Sequence, residues 1–271
     1  MPQRASSSTI AWIGAYVRLT GIIRAVAPTV TFVPGFMQRG EAWEPVAGRV
    51  ATRYRSACLD FATHTYEGRL EEIERAVEPG DALVGYSMGG RLALHAALRN
   101  PDMITGPLVL VGVNAGIEDE QERAARREAD DRRAARFESS GIEEVVDEWE
   151  KERVFASQSP RLREQQRPGR LSHRPQDLAT TLRTAGQGAL EPVWDRLPTL
   201  RAPALLVAGI SDTAYATANA RMARLIPDGR AERIPGAGHA PQLEQPDELT
   251  RLLLEFLDEH LGDRAVVDRD P

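Results

Sequence analysis

The run Ala82-Leu83-Val84-Gly85-Tyr86-Ser87-Met88-Gly89-Gly90-Arg91 limits what this chain can fold into more than any other stretch. Its apolar start reads as a strand and its small residues as a very tight turn. Leu92, Leu94, Ala96 and Leu98 then read as a helix that stops at Asn100-Pro101. Between strand and helix, G-x-S-x-G is a nucleophile elbow: the glycines let the backbone reverse sharply and lift the Ser87 hydroxyl above the sheet edge. The bland alternative is a structural Gly-rich turn carrying an incidental serine.

A strand-turn-helix unit needs partners, and the flanking sequence supplies them. Thr29 to Val33 is β-branched and apolar and ends at Pro34-Gly35-Phe36, a strand and its loop. Ala42 to Val50 suggests a short helix and Arg53 to Asp60 a second strand. Gly68 to Val77 carries Leu70, Ile73 and Val77 at helical spacing. Gly106 to Val113 is a near-continuous apolar run, as expected of a parallel strand covered on both faces.

That alternation breaks at Glu118, where the chain becomes charged, Ala-rich and helical until about Pro192. Ala204 to Gly209 restores the strand pattern, Ala214 to Leu225 reads as a helix, Ala231 to Ile234 as a last strand, and Pro246 to Leu261 as a closing amphipathic helix. The expected architecture is therefore α/β, a mostly parallel central sheet flanked by helices. Residues 1–117 and 193–261 form its core, 118–192 an inserted helical cap, and 262–271 a frayed tail.

At 271 residues one large domain with an insertion is sufficient. There are 34 Lys and Arg against 40 Asp and Glu, a net −6 with both signs mixed along the chain, so no global basic field calls for nucleic acid. No apolar run approaches the roughly 18 to 20 residues of a membrane span. Ile10 to Val17, behind Arg4 and three serines, mimics a signal peptide but lacks a clear small-residue cleavage site, so it reads as a disordered start leading into a first strand. Cys58, the single cysteine, excludes an internal disulfide and is expected as a buried strand thiol, compatible with a cytoplasmic location.

A serine hydroxyl needs a base and a carboxylate to orient that base, and in hydrolytic sheets these follow in the order serine, acid, histidine. Asp212 comes just after the strand ending at Gly209, and His239 sits in Pro235-Gly236-Ala237-Gly238-His239-Ala240 after the next strand. Both then stand at strand carboxyl ends, the rim where open α/β sheets bind ligands. His95 and His260 fall on helices, His173 in the cap, and His64 too early in the chain. The bland alternatives are a turn histidine at His239 and a helix N-cap at Asp212. Backbone N–H groups of Phe36 and Met88 are the expected oxyanion donors.

Arg91 stands four residues after Ser87, on the same helix face, where a guanidinium can meet an anionic substrate. Arg123, Arg126, Asp130 and Arg133 form a further stripe. The competing account is a solvated face laced with Glu122–Arg126 and Arg126–Asp130 pairs.

With these residues in hand the chain resembles α/β-hydrolase-fold proteins, and among them the 2-succinyl-6-hydroxy-2,4-cyclohexadiene-1-carboxylate synthases of menaquinone biosynthesis. The resemblance runs from about Phe32 to Leu257. It rests on Gly35-Phe36, Val84 to Arg91, Glu122 to Arg127, Trp149 ahead of Val154-Phe155-Ala156-Ser157, Arg170-Leu171, Pro192 to Leu197, and Gly236 to Ala240 with Leu243 to Pro246. It implies a lyase that removes pyruvate from a cyclohexene polycarboxylate by taking a proton, with no metal or organic cofactor. Ser87 would abstract the proton, activated by His239 and oriented through Asp212. Tyr86, Arg91, Arg126, Trp149 and Arg170 would line the pocket, the arginines pairing with carboxylates. Pro34 stands where the family usually has histidine.

Two further readings stay open. One is a serine esterase or thioesterase working through a Ser87 acyl-enzyme; the other is a ligand-binding relative without catalysis, suggested by Pro34. The expected partner is a small anionic molecule, with neither nucleic acid nor membrane.

Overall fold

The structure, a computed structural model, describes residues 27–262, so the segment at Ile10–Val17 and the tail from 263 lie outside the described residues. Strands and helices alternate in chain order. They run β1 (Thr29–Val33), α1 (Glu44–Val50), β2 (Arg55–Cys58), α2 (Tyr66–Arg75), β3 (Ala82–Tyr86), α3 (Ser87–Arg99) and β4 (Leu108–Val111). Four helices follow without a strand: α4 (Glu120–Ser139), α5 (Ile142–Trp149), α6 (Pro160–Leu171) and α7 (Pro175–Ala185). The chain then closes through β5 (Ala204–Gly209), α8 (Thr213–Leu225), β6 (Gly229–Ile234), α9 (Pro241–Glu244) and α10 (Pro246–Leu261).

The six strands form one parallel sheet in the order β2-β1-β3-β4-β5-β6. The chain steps outward from β1 to β2, then reverses past β1 to β3 and continues in that direction. Right-handed crossovers therefore place α1 on one face and α2, α3 and α8 on the other. The reversal leaves a crevice at the carboxyl ends of β1 and β3, where ligands bind in open α/β sheets.

Alternation along each strand divides the core in two. Leu83, Leu108, Leu110 and Leu206 pack with α2, α3 and α8, while Phe32, Val84, Val109 and Val207 pack with α1 and α10. β3, β4 and β5 are buried along their whole length, which explains their near-continuous apolar runs. Complete burial of each such leucine or valine contributes about 1.5–3 kcal/mol.

The edge strand departs from expectation. Cys58 is exposed, because β2 has a neighbour on one side only and its residues are mostly solvent-facing. The thiol is nonetheless held protonated: partial desolvation first, then the nearby Glu44 and Asp60 charges, raise its pKa to about 11.

Candidate active site

β3 delivers Ser87 to the switch-point crevice, and the turn is built from local necessity. Ser87 has φ 50°, a left-handed conformation that points its side chain out of the reversal. The reversal is tight enough that a Cβ on Gly85 would lie 2.6 Å from the Gly90 Cα, and one on Gly89 would collide with the Pro34 carbonyl oxygen. The glycines thus let α3 seat directly against β3 and the end of β1.

Asp212 and His239 arrive from the ends of β5 and β6. His239 Nε2 is 3.1 Å from Ser87 Oγ, and His239 Nδ1 is 2.7 Å from Asp212 Oδ2. Asp212 does occupy the N-cap of α8, yet its side chain makes no capping hydrogen bond; the carboxylate goes to the imidazole instead. With Nδ1–H donated to Asp212, Nε2 is left as the acceptor facing the hydroxyl. His95 bonds Tyr66 at 3.0 Å, His260 bonds the Phe256 carbonyl, and His64 faces Asp177, so these three are engaged elsewhere.

The imidazole is held by residues that spacing alone does not reveal. Glu244, on α9, accepts the Gly238 N–H at 2.9 Å with one oxygen and the Ala240 N–H at 3.0 Å with the other, clamping the backbone on both sides of His239. Gly112, with φ 61° after β4, leaves room for the ring: a Cβ there would sit 3.2 Å from His239 Cε1. Tyr215 and Tyr86 flank the ring, with centroids 4.6 and 5.4 Å away.

Phe36 and Met88 line the same cavity as Ser87. Met88 is in the first turn of α3, where backbone N–H groups have no partner inside the helix. Phe36 follows β1 in a turn closed by the Gln38 N–H to the Gly35 carbonyl at 3.2 Å, with Gln38 Oε1 accepting the Gly35 N–H. Trp43 Nε1–H donates to the Val33 carbonyl at 3.1 Å and fixes the strand end from which this loop leaves.

Above the serine is a cavity of about 340 Å³, bounded below by Phe36, Ser87, Met88 and His239 and above by side chains from α4 to α7 and their connections. Tyr86, Arg91, Arg126, Trp149 and Arg170 all line it. Trp149 packs edge-on against Phe36 at 5.1 Å and against Phe155 at 5.5 Å, forming an aromatic wall. Burial pushes the Tyr86 phenol well above its usual range, so it remains a neutral donor.

The arginines are not equivalent. Arg126 Nε meets Asp130 Oδ1 at 2.9 Å, and Arg126 Nη1 donates to Gln187 at 3.1 Å. Arg170, almost fully buried, donates to Glu150 at 3.0 Å and lies over the Phe155 ring. Arg133 pairs with Glu152. Of the two pairs in the competing solvated-face account, Arg126–Asp130 forms and Glu122–Arg126 does not among the described residues, because Arg126 turns into the cavity while Glu122 stays exposed. The spacing of Arg126 and Asp130 points to their pair, which forms, whereas Glu150, Gln187 and Tyr215 carry no local signal in the sequence. Among the described residues no cluster of His, Cys, Asp and Glu could hold a metal ion, and no helix is long and apolar enough to cross a membrane.

Comparison with known proteins places this geometry among relatives. Residues 32–252 match the alpha/beta hydrolase family. A 2-succinyl-6-hydroxy-2,4-cyclohexadiene-1-carboxylate synthase of Salmonella heidelberg (strain SL476) is 31% identical over 244 residues, 85% of this chain and 94% of that protein. A Bacillus subtilis (strain 168) protein given the same name provisionally is 34% identical over 178 residues, 65% of each chain. The solved structure of MenH from S. aureus superposes with a TM-score of 0.80 at 30% identity, covering 86% of this chain and 94% of that one.

Proposed function

This chain belongs to the alpha/beta hydrolase family, and within it we propose that it acts as a 2-succinyl-6-hydroxy-2,4-cyclohexadiene-1-carboxylate synthase, a carbon–oxygen lyase of menaquinone biosynthesis that eliminates pyruvate from an anionic cyclohexene polycarboxylate. Relatives that carry that name at 28–34% identity support the activity. The observation that carries the reading at the level of the site is the cavity wall: four arginines, Arg91, Arg126, Arg133 and Arg170, against two acids, Asp130 and Glu152, face one chamber above the Ser87–His239 pair. An apolar tunnel would have suited a lipid or simple ester; this chamber suits carboxylates.

In the proposed reaction Ser87 Oγ takes a ring C–H proton while its own proton passes to His239 Nε2, 3.1 Å away. Asp212 stabilises the imidazolium through the 2.7 Å hydrogen bond. The C–H electrons become a ring double bond, the bond from ring carbon to oxygen breaks, and pyruvate leaves as its enolate, which is then protonated. The Phe36 and Met88 N–H groups serve the substrate oxygen on which negative charge collects. Segment 118–192 acts as a cap that brings Arg126, Trp149 and Arg170 over the serine. The reaction is soluble small-molecule chemistry suited to the cytoplasm.

The test is pyruvate release from the authentic precursor by purified protein, with Ser87→Ala folded but at least 10³-fold slower, the scale of losing a group that acts as a unit with its partners. Absence of pyruvate release by the wild type would end this reading. The same three side chains serve acyl transfer, and the left-handed Ser87 favours that second reading as well. Rapid ester turnover together with a stable fluorophosphonate adduct on Ser87 would select it.

A further inference from the structure

Charge pairing around the cavity leaves one cation unanswered. Of its four arginines, Arg126 is matched by Asp130, Arg170 by Glu150 and Arg133 by Glu152. Arg91 makes no ion pair among the described residues. It is 6% exposed, and its Nε is buried without a hydrogen-bond partner. Asp130, a carboxylate lining the same cavity, is already taken by Arg126 Nε and the Gly188 N–H. A desolvated guanidinium without a counter-charge is costly, so this position is built for an anion that comes with the ligand.

Tyr215 is the polar group beside it. The side chain rises from the first turn of α8, lines the same cavity as Arg91, and lays its ring against His239 at 4.6 Å between centroids. Burial drags the Arg91 pKa down, while Tyr215 and Asp130 support the charged form and Arg126 opposes it. Chemically the pair is complementary. A guanidinium only donates, whereas a phenol oxygen can accept from it and pass its own O–H to a carboxylate.

We propose that Tyr215 joins Arg91, which the family resemblance already turns towards a carboxylate, in holding one substrate carboxylate, and that Tyr215 sets the preference for a carboxylate over a neutral group. The guanidinium gives a two-pronged bond and the phenol a third. Because Tyr215 also rests on His239, the carboxylate is fixed in register with the proton-transfer pair. Arg126 and Arg170, neutralised by their own partners, shape the chamber and contribute spare N–H groups instead of net charge. This deepens the reading of an anionic substrate and rests on it.

Titration calorimetry with succinate and with its neutral dimethyl ester tests the proposal without turnover. Wild type should bind succinate, more weakly as salt is added, and should not bind the ester. Tyr215→Phe should weaken succinate about tenfold with an unchanged melting temperature. Arg91→Lys, which keeps the charge but loses the planar fork, should weaken it further, and Arg126→Gln should have the smallest effect. On the pyruvate-releasing substrate Tyr215→Phe should raise KM about tenfold with kcat within about threefold, a split that a merely structural role would not give. Equal succinate binding by wild type and Tyr215→Phe overturns the proposal, as does loss of binding in Arg126→Gln but not Arg91→Lys, or no succinate binding by wild type. Succinate binding without pyruvate release would remove the elimination reading and leave the receptor standing.

Discussion

Ser87 adopts a backbone conformation that L side chains avoid, and glycine packing on either side of it leaves no alternative. Such a residue holds strain of roughly 1–3 kcal/mol, sustained by the surrounding fold. Two inactivating substitutions should therefore differ in stability. Ser87→Gly, free of the penalty, should melt higher than Ser87→Ala by about 1 kcal/mol, and both should be inactive. Equal melting points in thermal denaturation would mean that the turn is relaxed. The residue scale is also where the sequence misleads. Cys58 lies in an apolar run, but such a run cannot say which strand ends up at an edge, and β2 is the edge. The free cation at Arg91 was equally hidden. Seeing it requires knowing that Asp130, Glu150 and Glu152 are already claimed, and two of those claims join residues about 20 positions apart through tertiary packing.

At the scale of elements the chain was far more legible. β1, β5 and α10 begin and end where the periodicity and the flanking Gly and Pro put them, and the other core strands and helices read from the sequence shift by only a few residues at their ends, while the bounds of α4 to α7 and the single turn of α9 are not legible there. The reason is physical: strands buried on both faces must be apolar throughout, and crossover helices must carry one apolar stripe. The order Ser87, Asp212, His239 was readable because each follows a strand, and parallel strands present their carboxyl ends to one rim. What could not be read is how loops hold their side chains. The His239 loop depends on α9, a single turn whose Glu244 carboxylate accepts N–H groups from both neighbours of the histidine. Glu244→Gln keeps one acceptor oxygen but sets an NH₂ against the second N–H. It should lower kcat about 10- to 100-fold while KM changes little, and Glu244→Ala should lower it further. Steady-state kinetics of both variants, with ¹H resonances of the His239 ring as a report on its placement, would check this. Unchanged kcat in Glu244→Ala would make the clamp dispensable.

Across the whole molecule, the reversal of strand order sends α1 and α10 to one face and α2, α3 and α8 to the other, and the helices between β4 and β5 close over the rim that results. The functional rim and the stability of the fold are consequently coupled through α3, which carries Ser87 and Arg91 at one end and His95 one turn further on. His95 is 7% exposed, hydrogen-bonded to Tyr66, and faced by Arg91 and Arg196. Desolvation first, then those two cations, lower its pKa from 6.5 to about 4. His173 is lowered to about 4 by burial and by Arg39, Arg69 and His64, with Asp60 opposing. A histidine whose pKa falls on folding is protonated more readily in the unfolded chain. Its contribution is complete above pH 6.5 and is lost as the pH falls from there towards 4. For His95 the full loss is on the order of 3 kcal/mol. The melting temperature should hence be flat from pH 8 to 7 and decline below 6.5. His95→Gln, which can still bond Tyr66 but cannot take up a proton, should show a shallower decline even if its melting point at pH 8 is lower. Denaturant melts at half-unit pH steps would measure both slopes. Parallel declines in wild type and variant would show that acid sensitivity arises elsewhere, with the carboxylates paired to the cavity arginines as the next groups to examine.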